Sequence, residues 1–177
     1  LPQKLSTQIP FMLRENCALS FTDYRFVSEN GDMIGRRLSG LEKIGWHLHH
    51  MTRYLGCLTV VVDRDKVPDF QFPDLKTARR AEDFVAWSHC IKKAGPALRC
   101  GHDLARYSVV QNSRSSVTRS SISSVWRLYR EVEGIPLLPS FFYFLIFSFG
   151  VLWKRYRYRP TIARNLVDAD CDWSLLR

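Results

Sequence analysis

Residues Ile135 to Trp153 read IPLLPSFFYFLIFSFGVLW, nineteen consecutive residues without a formal charge. As an α-helix this segment would be about 28 Å long, close to the roughly 30 Å hydrocarbon core of a bilayer. Pro136 and Pro139 fall in its first turn, where a missing backbone N–H does little harm. The segment therefore predicts one transmembrane helix over residues 135–153. The alternative is a buried core element of a globular protein.

Aromatic and basic residues flank this segment. The aromatic ones are of the kind that anchor helices at membrane interfaces: Trp126, Tyr129, Trp153, Tyr156 and Tyr158. A basic run follows, and we expect its cations to bind anionic lipid head groups: Lys154, Arg155, Arg157 and Arg159. A bound phospholipid such as cardiolipin would fit this run, and no other cofactor is expected.

The chain of 177 residues has room for one modest soluble domain besides this helix. Its 26 Lys and Arg residues outnumber 17 Asp and Glu residues, which gives a net charge of +9. Such a balance predicts anionic surroundings. With an apolar span present, anionic phospholipid and the membrane subunits of a larger complex are the expected partners, rather than nucleic acid. The first residue is Leu rather than Met, which favours a processed chain and a mitochondrial inner-membrane location.

Composition divides the chain into six segments, and the fold class they predict is mainly α with one transmembrane helix. They are an extended arm with a short strand or hairpin (1–38), a small, mainly helical soluble domain (39–107), a Ser/Arg-rich linker (108–124), an interfacial helix (125–134), the transmembrane helix (135–153) and a basic collar and tail (154–177).

Within the first two segments, local patterns predict individual elements. Residues 20–27 partly alternate and predict a strand. Ser39 and Glu42 are spaced as a capping box, and an apolar stripe follows them, so a helix is predicted over 39–55. A strand is expected over 57–62, a helix over 74–93 and a short helix within 97–107.

Histidines provide the only candidate metal ligands with a regular spacing. On a helix His47 and His50 would share one face, but a closed zinc site needs four ligands. The alternative is that these imidazoles lie on the surface or at a subunit contact. His89, Cys90, Cys100 and His102 also suggest zinc, although their spacing departs from the usual pair–loop–pair form.

The five cysteines are scattered and odd in number. Cys90 and Cys100 have nine residues between them, and this spacing makes them the candidate disulfide. The alternative is that both are unpaired thiols, because Gly95 and Pro96 would break the helix that such a motif needs.

No phosphate-cradling glycine loop, dinucleotide fingerprint or hydrolase elbow is present, so no catalytic residue and no small-molecule substrate are predicted. We therefore expect a non-catalytic, single-pass accessory subunit of a mitochondrial inner-membrane complex, of the respiratory chain or ATP synthase. It would act in assembly, stability and lipid contact. Two alternatives are a basic organellar ribosomal or other soluble-complex protein with a buried apolar run, and a membrane-tethered metal-binding protein.

Overall fold

The computed structural model describes residues 1–28, 31–52, 54–75, 81–108 and 124–164, and for 34–36 and 151–164 it describes the backbone alone. Its strands are β1 Leu19–Val27, β2 Met33–Leu38, β3 Lys43–Ile44, β4 Val61–Val62 and β5 Ala97–Ser108. They form one mixed sheet in the order β2–β1–β5–β3, with β4 paired to β1 beside this path. The prediction of a mainly α fold is therefore wrong, because the fold is mixed α/β.

Strand β1 is central, and side chains on both of its faces are buried. It pairs in parallel with β5 and antiparallel with β2 and β4. Successive side chains of a strand point to opposite faces. Leu19 and Phe21 accordingly pack in the main hydrophobic core, whereas Ser20 accepts a 2.9 Å hydrogen bond from the Gln8 amide on the other face. The strand predicted over 20–27 is confirmed.

The first helix, α1 Lys4–Glu15, lies where an extended arm was predicted. Gln8 and Met12 are its buried residues, four positions apart and therefore on one face. Pro10 lies inside the helix, whose backbone angle φ its ring already favours. The helix ends at Asn16, which adopts a left-handed conformation with φ of 49°. Pro10, which indicated an irregular arm, removes one backbone N–H donor from this helix but does not end it.

Residues 39–55 do not form the single helix predicted from the capping box. They form β3 and then a short helix, α2 Trp46–Thr52. The Ser39 hydroxyl lies 3.3 Å from the Asp23 carboxylate, and the Glu42 carbonyl accepts a 2.9 Å bond from the Arg99 backbone N–H. Tertiary pairing with β5 therefore replaces the local cap. The strand predicted over 57–62 is only partly right, since a 3₁₀ turn at Cys57–Thr59 precedes β4.

Helix α3 Glu82–Ala94 and strand β5 follow one another through a tight turn. The helix predicted over 74–93 begins later than expected, and it stops before Gly95, which has a φ of +91°. The short helix predicted within 97–107 is wrong, because this segment is the longest strand of the sheet. Its parallel pairing with β1 links residues far apart in the chain, which no local pattern reports.

The C-terminal part of the described chain begins with one helical turn at 124–127, continues in a π-helical segment, Leu128–Val132, and ends in the long helix α4 Leu137–Arg164. The apolar run is therefore helical. However, Ser140 and Tyr143 are buried against the domain, and Tyr143 shares a hydrophobic cluster with Phe84 and Tyr129. The predicted linker (apart from 108 and 124) and residues 165–177 lie outside the described residues.

Among the residues that the structure describes, no helix is both long enough and apolar enough to cross a membrane. The prediction of a transmembrane helix over 135–153 is therefore corrected. The interfacial helix predicted over 125–134 is also placed differently, because Val125 and Leu128 are buried in the domain.

Candidate functional site

Asp23, at the middle of β1, is the centre of a buried ion-pair network. Its carboxylate accepts hydrogen bonds from Arg99 of β5, at 2.7 Å to each oxygen, and from Nε of Arg37 of β2 at 2.7 Å. Burial alone would raise the pKa of Asp23, but the hydrogen bonds from Arg99 and Arg37 outweigh it and hold the pKa below its usual value. The Asp23 carboxylate therefore links β1 to β2 and β5.

A second cluster lies between α2, α3 and α4 and is rich in aromatic and histidine rings. We call it the aromatic–histidine cluster, and it consists of Trp46, His49, His50, Phe84, Tyr129 and Tyr143. His49 stacks on Phe84 with ring centroids 4.2 Å apart, and its Nε2 lies 3.0 Å from the Phe84 carbonyl oxygen. The Tyr129 hydroxyl donates a 2.6 Å bond to the carbonyl of His50. These contacts fix the N-terminal end of α3 against α2.

The carboxylate of Glu133 lies next to His50 of this cluster. Glu133, whose side chain is 4% exposed, accepts a 2.8 Å hydrogen bond from Lys92 and lies 3.7 Å from Nε2 of His50. Burial favours the neutral acid, but His50 and Lys92 outweigh it and lower the pKa of Glu133 to about 2. Glu133 is therefore ionised and engaged in ion pairs.

Two adjacent acids, Glu82 and Asp83, form the first turn of α3. Glu82 is exposed, and Asp83 is half-buried, with one carboxylate oxygen accepting a 2.7 Å hydrogen bond from the backbone N–H of Phe84. The pKa of the nearby Cys57 thiol is raised by partial burial and then by the charges of Asp83 and Glu82. A carboxylate placed in this way can accept a hydrogen bond or a proton from a hydroxyl group.

The histidines predicted as metal ligands have other contacts. The Nδ1 atom of His47 is hydrogen-bonded with the Tyr143 hydroxyl, and Nδ1 of His50 donates a 2.8 Å bond to the Trp46 carbonyl. The described part of the chain contains no group of three or more His, Cys, Asp or Glu side chains able to hold a metal ion. His50 is therefore buried between helices, His47 is exposed on α2, and the metal candidates are not supported.

For Cys90 and Cys100 the sequence left a disulfide and two unpaired thiols as alternatives, and the structure has the unpaired thiols. Cys90 is buried in α3 and Cys100 is buried in β5, and both are free thiols. Burial raises the pKa of Cys90 to about 11, so this thiol stays protonated at neutral pH.

The residues predicted as interface anchors fall in different environments. Tyr129 is fully buried, and Trp126 packs its ring against Phe144 at 5.4 Å. The other anchors and the predicted head-group ligands belong to the part of α4 for which only the backbone is described. They are Trp153, Lys154, Arg155, Tyr156, Arg157, Tyr158 and Arg159.

Sequence reasoning did not single out Glu82 and Asp83. Acidic residues are common in the first turn of a helix because they complement its dipole, so the pair carries little information alone. A correct helix boundary would have been the useful signal, since a start at residue 74 places both acids in the middle of the helix.

The relatives found by comparison with known proteins are all named glycosyltransferases. The chain is 29% identical over 152 residues to TuaG of Bacillus subtilis, a putative teichuronic acid biosynthesis glycosyltransferase, over 86% of this chain and 59% of that protein. It is 25% identical over 160 residues to WfgD of Escherichia coli, a UDP-Glc:alpha-D-GlcNAc-diphosphoundecaprenol beta-1,3-glucosyltransferase, over 90% of this chain and 61% of that protein. An uncharacterized glycosyltransferase of Haemophilus influenzae is 24% identical over 150 residues, over 83% of this chain and 57% of that protein.

The chain thus spans about three-fifths of the length of these curated relatives. No family model matches it. No solved structure matches it either.

These relatives overturn the functional predictions made from composition. All three are bacterial proteins named as glycosyltransferases. The expectations of a mitochondrial inner-membrane location, a respiratory-chain or ATP synthase complex and a non-catalytic accessory role are therefore wrong. The expectation of no small-molecule substrate is wrong for the same reason, because the name of WfgD includes a UDP-glucose donor.

Proposed function

We propose that this chain forms part of a glycosyltransferase that moves a sugar from a nucleotide-sugar donor to a hydroxyl group of a saccharide acceptor. The observation that carries the proposal is its similarity, over 83–90% of its length, to three bacterial proteins named glycosyltransferases. The fold supports it by presenting a pair of carboxylates at one end of α3, where a hydroxyl substrate could approach.

The proposed reaction is a single displacement. The acceptor hydroxyl oxygen forms a bond to the anomeric carbon of the donor sugar. At the same time the bond from that carbon to the donor diphosphate oxygen breaks, and the nucleoside diphosphate leaves with the electron pair. The proton of the acceptor hydroxyl passes to a carboxylate acting as general base.

We assign the role of general base to Asp83. The side chains of Asp23 and Glu133 are 0% and 4% exposed, so a substrate hydroxyl group cannot reach either carboxylate. Asp83 is half-buried and is oriented by the Phe84 backbone N–H, whereas its neighbour Glu82 is exposed. A base must be held within hydrogen-bond reach of the hydroxyl, which favours the oriented residue.

We further propose a UDP-sugar as the donor and a lipid-linked saccharide diphosphate as the acceptor. The support is the name of WfgD, which includes both, together with the coverage of 90% of this chain by that comparison. The sugar that is transferred could differ between the two proteins.

The test is a transfer assay on the intact protein. It would be incubated with radiolabelled UDP-glucose, UDP-galactose or UDP-N-acetylglucosamine and a GlcNAc-diphospholipid acceptor, and the labelled lipid product would be measured. We expect transfer from one of these donors. Asp83→Asn should lower kcat by about a hundredfold or more, the usual loss when a general base is removed.

The matched control is Glu131→Gln, which removes an exposed acid of the π-helical segment. It should keep a kcat within a few-fold of the unmodified protein. The absence of transfer from every donor would contradict the function, whereas full activity of Asp83→Asn would contradict only the assignment of the base.

A further inference from the structure

Helix α4 carries a continuous exposed apolar surface. Seven large side chains are exposed at spacings that place them on one side of the helix, and we call this side the outer face. It consists of Leu137, Leu138, Phe141, Phe142, Leu145, Ile146 and Phe149. Leu138 is 82% exposed and Phe149 is 66% exposed. Contiguous apolar surface of this kind is rare on monomeric proteins and marks an interaction site.

The outer face cannot turn inward, because the opposite side of α4 is bound to the domain. Tyr143 contacts Trp46 and His50 and is hydrogen-bonded with His47, and Ser140 lies three positions before Tyr143 on the same side of the helix. Both residues are buried. The apolar side chains of the outer face therefore stay exposed unless something outside the described residues covers them.

The chemistry of the outer face favours lipid over protein. None of its seven side chains can form a hydrogen bond, whereas a protein interface usually has one hydrogen bond per 100–200 Å². Cations lie at both ends of the apolar stretch. Arg127 and Arg130 are exposed just before it, and the sequence of α4 continues through Lys154, Arg155, Arg157 and Arg159. Basic residues beside an apolar helical surface are typical of helices that lie on anionic membranes.

We infer that the outer face of α4 docks onto the surface of an anionic lipid membrane, with the helix in the plane of the interface. This inference rests on the proposed function for its role and on the exposed apolar side chains for its location. Arg127 and Arg130 would contact lipid phosphates, and the leucine and phenylalanine side chains would enter the head-group boundary.

Docking in this orientation would bring the candidate active site close to the lipid. Ala81 and Phe84, which flank Glu82 and Asp83, belong to the same hydrophobic cluster as Tyr143 on the inner side of α4. The residues on either side of the carboxylate pair therefore pack against the inner side of α4. A lipid-linked saccharide would then present its hydroxyl near Asp83 without leaving the membrane, which limits the search to the surface.

The test is binding of the intact protein to vesicles, measured by co-sedimentation. The vesicles would contain phosphatidylcholine alone or with phosphatidylglycerol as the anionic lipid. We expect binding that increases with the phosphatidylglycerol content and decreases with salt. Leu138→Ser/Leu145→Ser should weaken vesicle binding about tenfold, because two exposed apolar side chains no longer enter the interface.

The matched control is Leu5→Ser/Leu13→Ser, which makes the same two changes at exposed positions of α1. These leucines are 55% and 73% exposed, compared with 82% for Leu138 and 49% for Leu145. The control should bind vesicles like the unmodified protein. Circular dichroism and the unfolding midpoint would confirm that both double variants are folded.

Three results would overturn the inference. They are the absence of vesicle binding, equal binding by Leu138→Ser/Leu145→Ser and the unmodified protein, and equal losses in both double variants. A fourth contrary result would be a lipid-free dimer that Leu138→Ser/Leu145→Ser converts to a monomer, because the outer face would then be occupied by a second copy.

Transfer assays separate this inference from the proposed function. If both are correct, Leu138→Ser/Leu145→Ser loses activity towards a lipid-linked acceptor in vesicles but retains it towards a water-soluble, short-chain acceptor. Vesicle binding without transfer to either acceptor would support the docking and contradict the proposed function. Equal activity of this variant and the unmodified protein on both acceptors would contradict the role assigned to docking.

Discussion

The Asp23 carboxylate is fully buried and joins β1 to β2 and β5 through Arg37 and Arg99. Asp23→Asn would remove the buried anionic partner of the Arg99 guanidinium, which is only 14% exposed, and leave it with the exposed carboxylate of Glu42 alone. Breaking such a pair from one side costs about 3 kcal/mol. We expect the free energy of unfolding, measured in urea at pH 7, to fall by that amount.

The control for Asp23 is Asp65→Asn, which changes an exposed aspartate in the loop after β4 and should alter stability by less than about 0.5 kcal/mol. If Asp23→Asn were as stable as this control, the network would hold no strands together.

For individual residues such as His47 and His50, the sequence predicted their proximity correctly but not their role. His47 and His50 do lie close together, but their hydrogen bonds go to Tyr143 and to a backbone carbonyl rather than to a metal. Spacing along a helix can place two side chains on one face. It cannot show which neighbours tertiary folding brings to them.

Among the elements, α4 and β5 show why patterns succeed or fail. The apolar run of α4 was correctly predicted to be helical, but hydropathy does not distinguish burial against protein from burial in lipid, and Tyr143 packs against the domain. Strand β5 was predicted to contain a short helix because its apolar and polar residues do not alternate, and its burial pattern does not alternate either. Its partner β1 is about eighty residues earlier in the chain.

Glu133 connects the π-helical segment to α3 and α2, and its effect on stability should depend on pH. Its pKa of about 2 in the folded protein is below the ordinary value of 4.5. Its contribution is therefore complete above about pH 5 and is lost as the pH falls from 4.5 towards 2. We expect Glu133→Gln to lower the free energy of unfolding by about 2 kcal/mol at pH 7, since Lys92 is half exposed and partly screened.

Urea unfolding at several pH values would measure this effect. The difference between Glu133→Gln and the unmodified protein should shrink at pH 3 and vanish near pH 2. Glu131→Gln, an exposed acid two positions away, is the control and should show no such difference at any pH. A constant difference from pH 7 to pH 2 would mean that Glu133 acts through packing rather than through charge.

For the molecule as a whole, composition was a poor guide to function. The net charge of +9 and the apolar run are properties of the surface and of one helix, and neither reports the chemistry of a site. The candidate site depends on where α3 begins and on its packing against α2 and α4. These contacts join residues near 50, 84 and 143, which are far apart in the chain. The carboxylate pair can therefore be identified as a candidate site only from the folded structure.

The position of α4 gives a prediction for the whole molecule. A chain that ends after Gly134 would lose Tyr143, Phe144 and Phe147 from the cluster that also holds Phe84 and Tyr129. Tyr143 is buried, and Phe144 and Phe147 are partly buried. A fully buried aromatic side chain contributes about 1.5–3 kcal/mol, so the free energy of unfolding should fall by about 4 kcal/mol. A chain that ends after Arg164 keeps the whole of α4 and is the matched control. Thermal unfolding of both would be compared, and equal midpoints would mean that α4 rests on the domain without stabilising it.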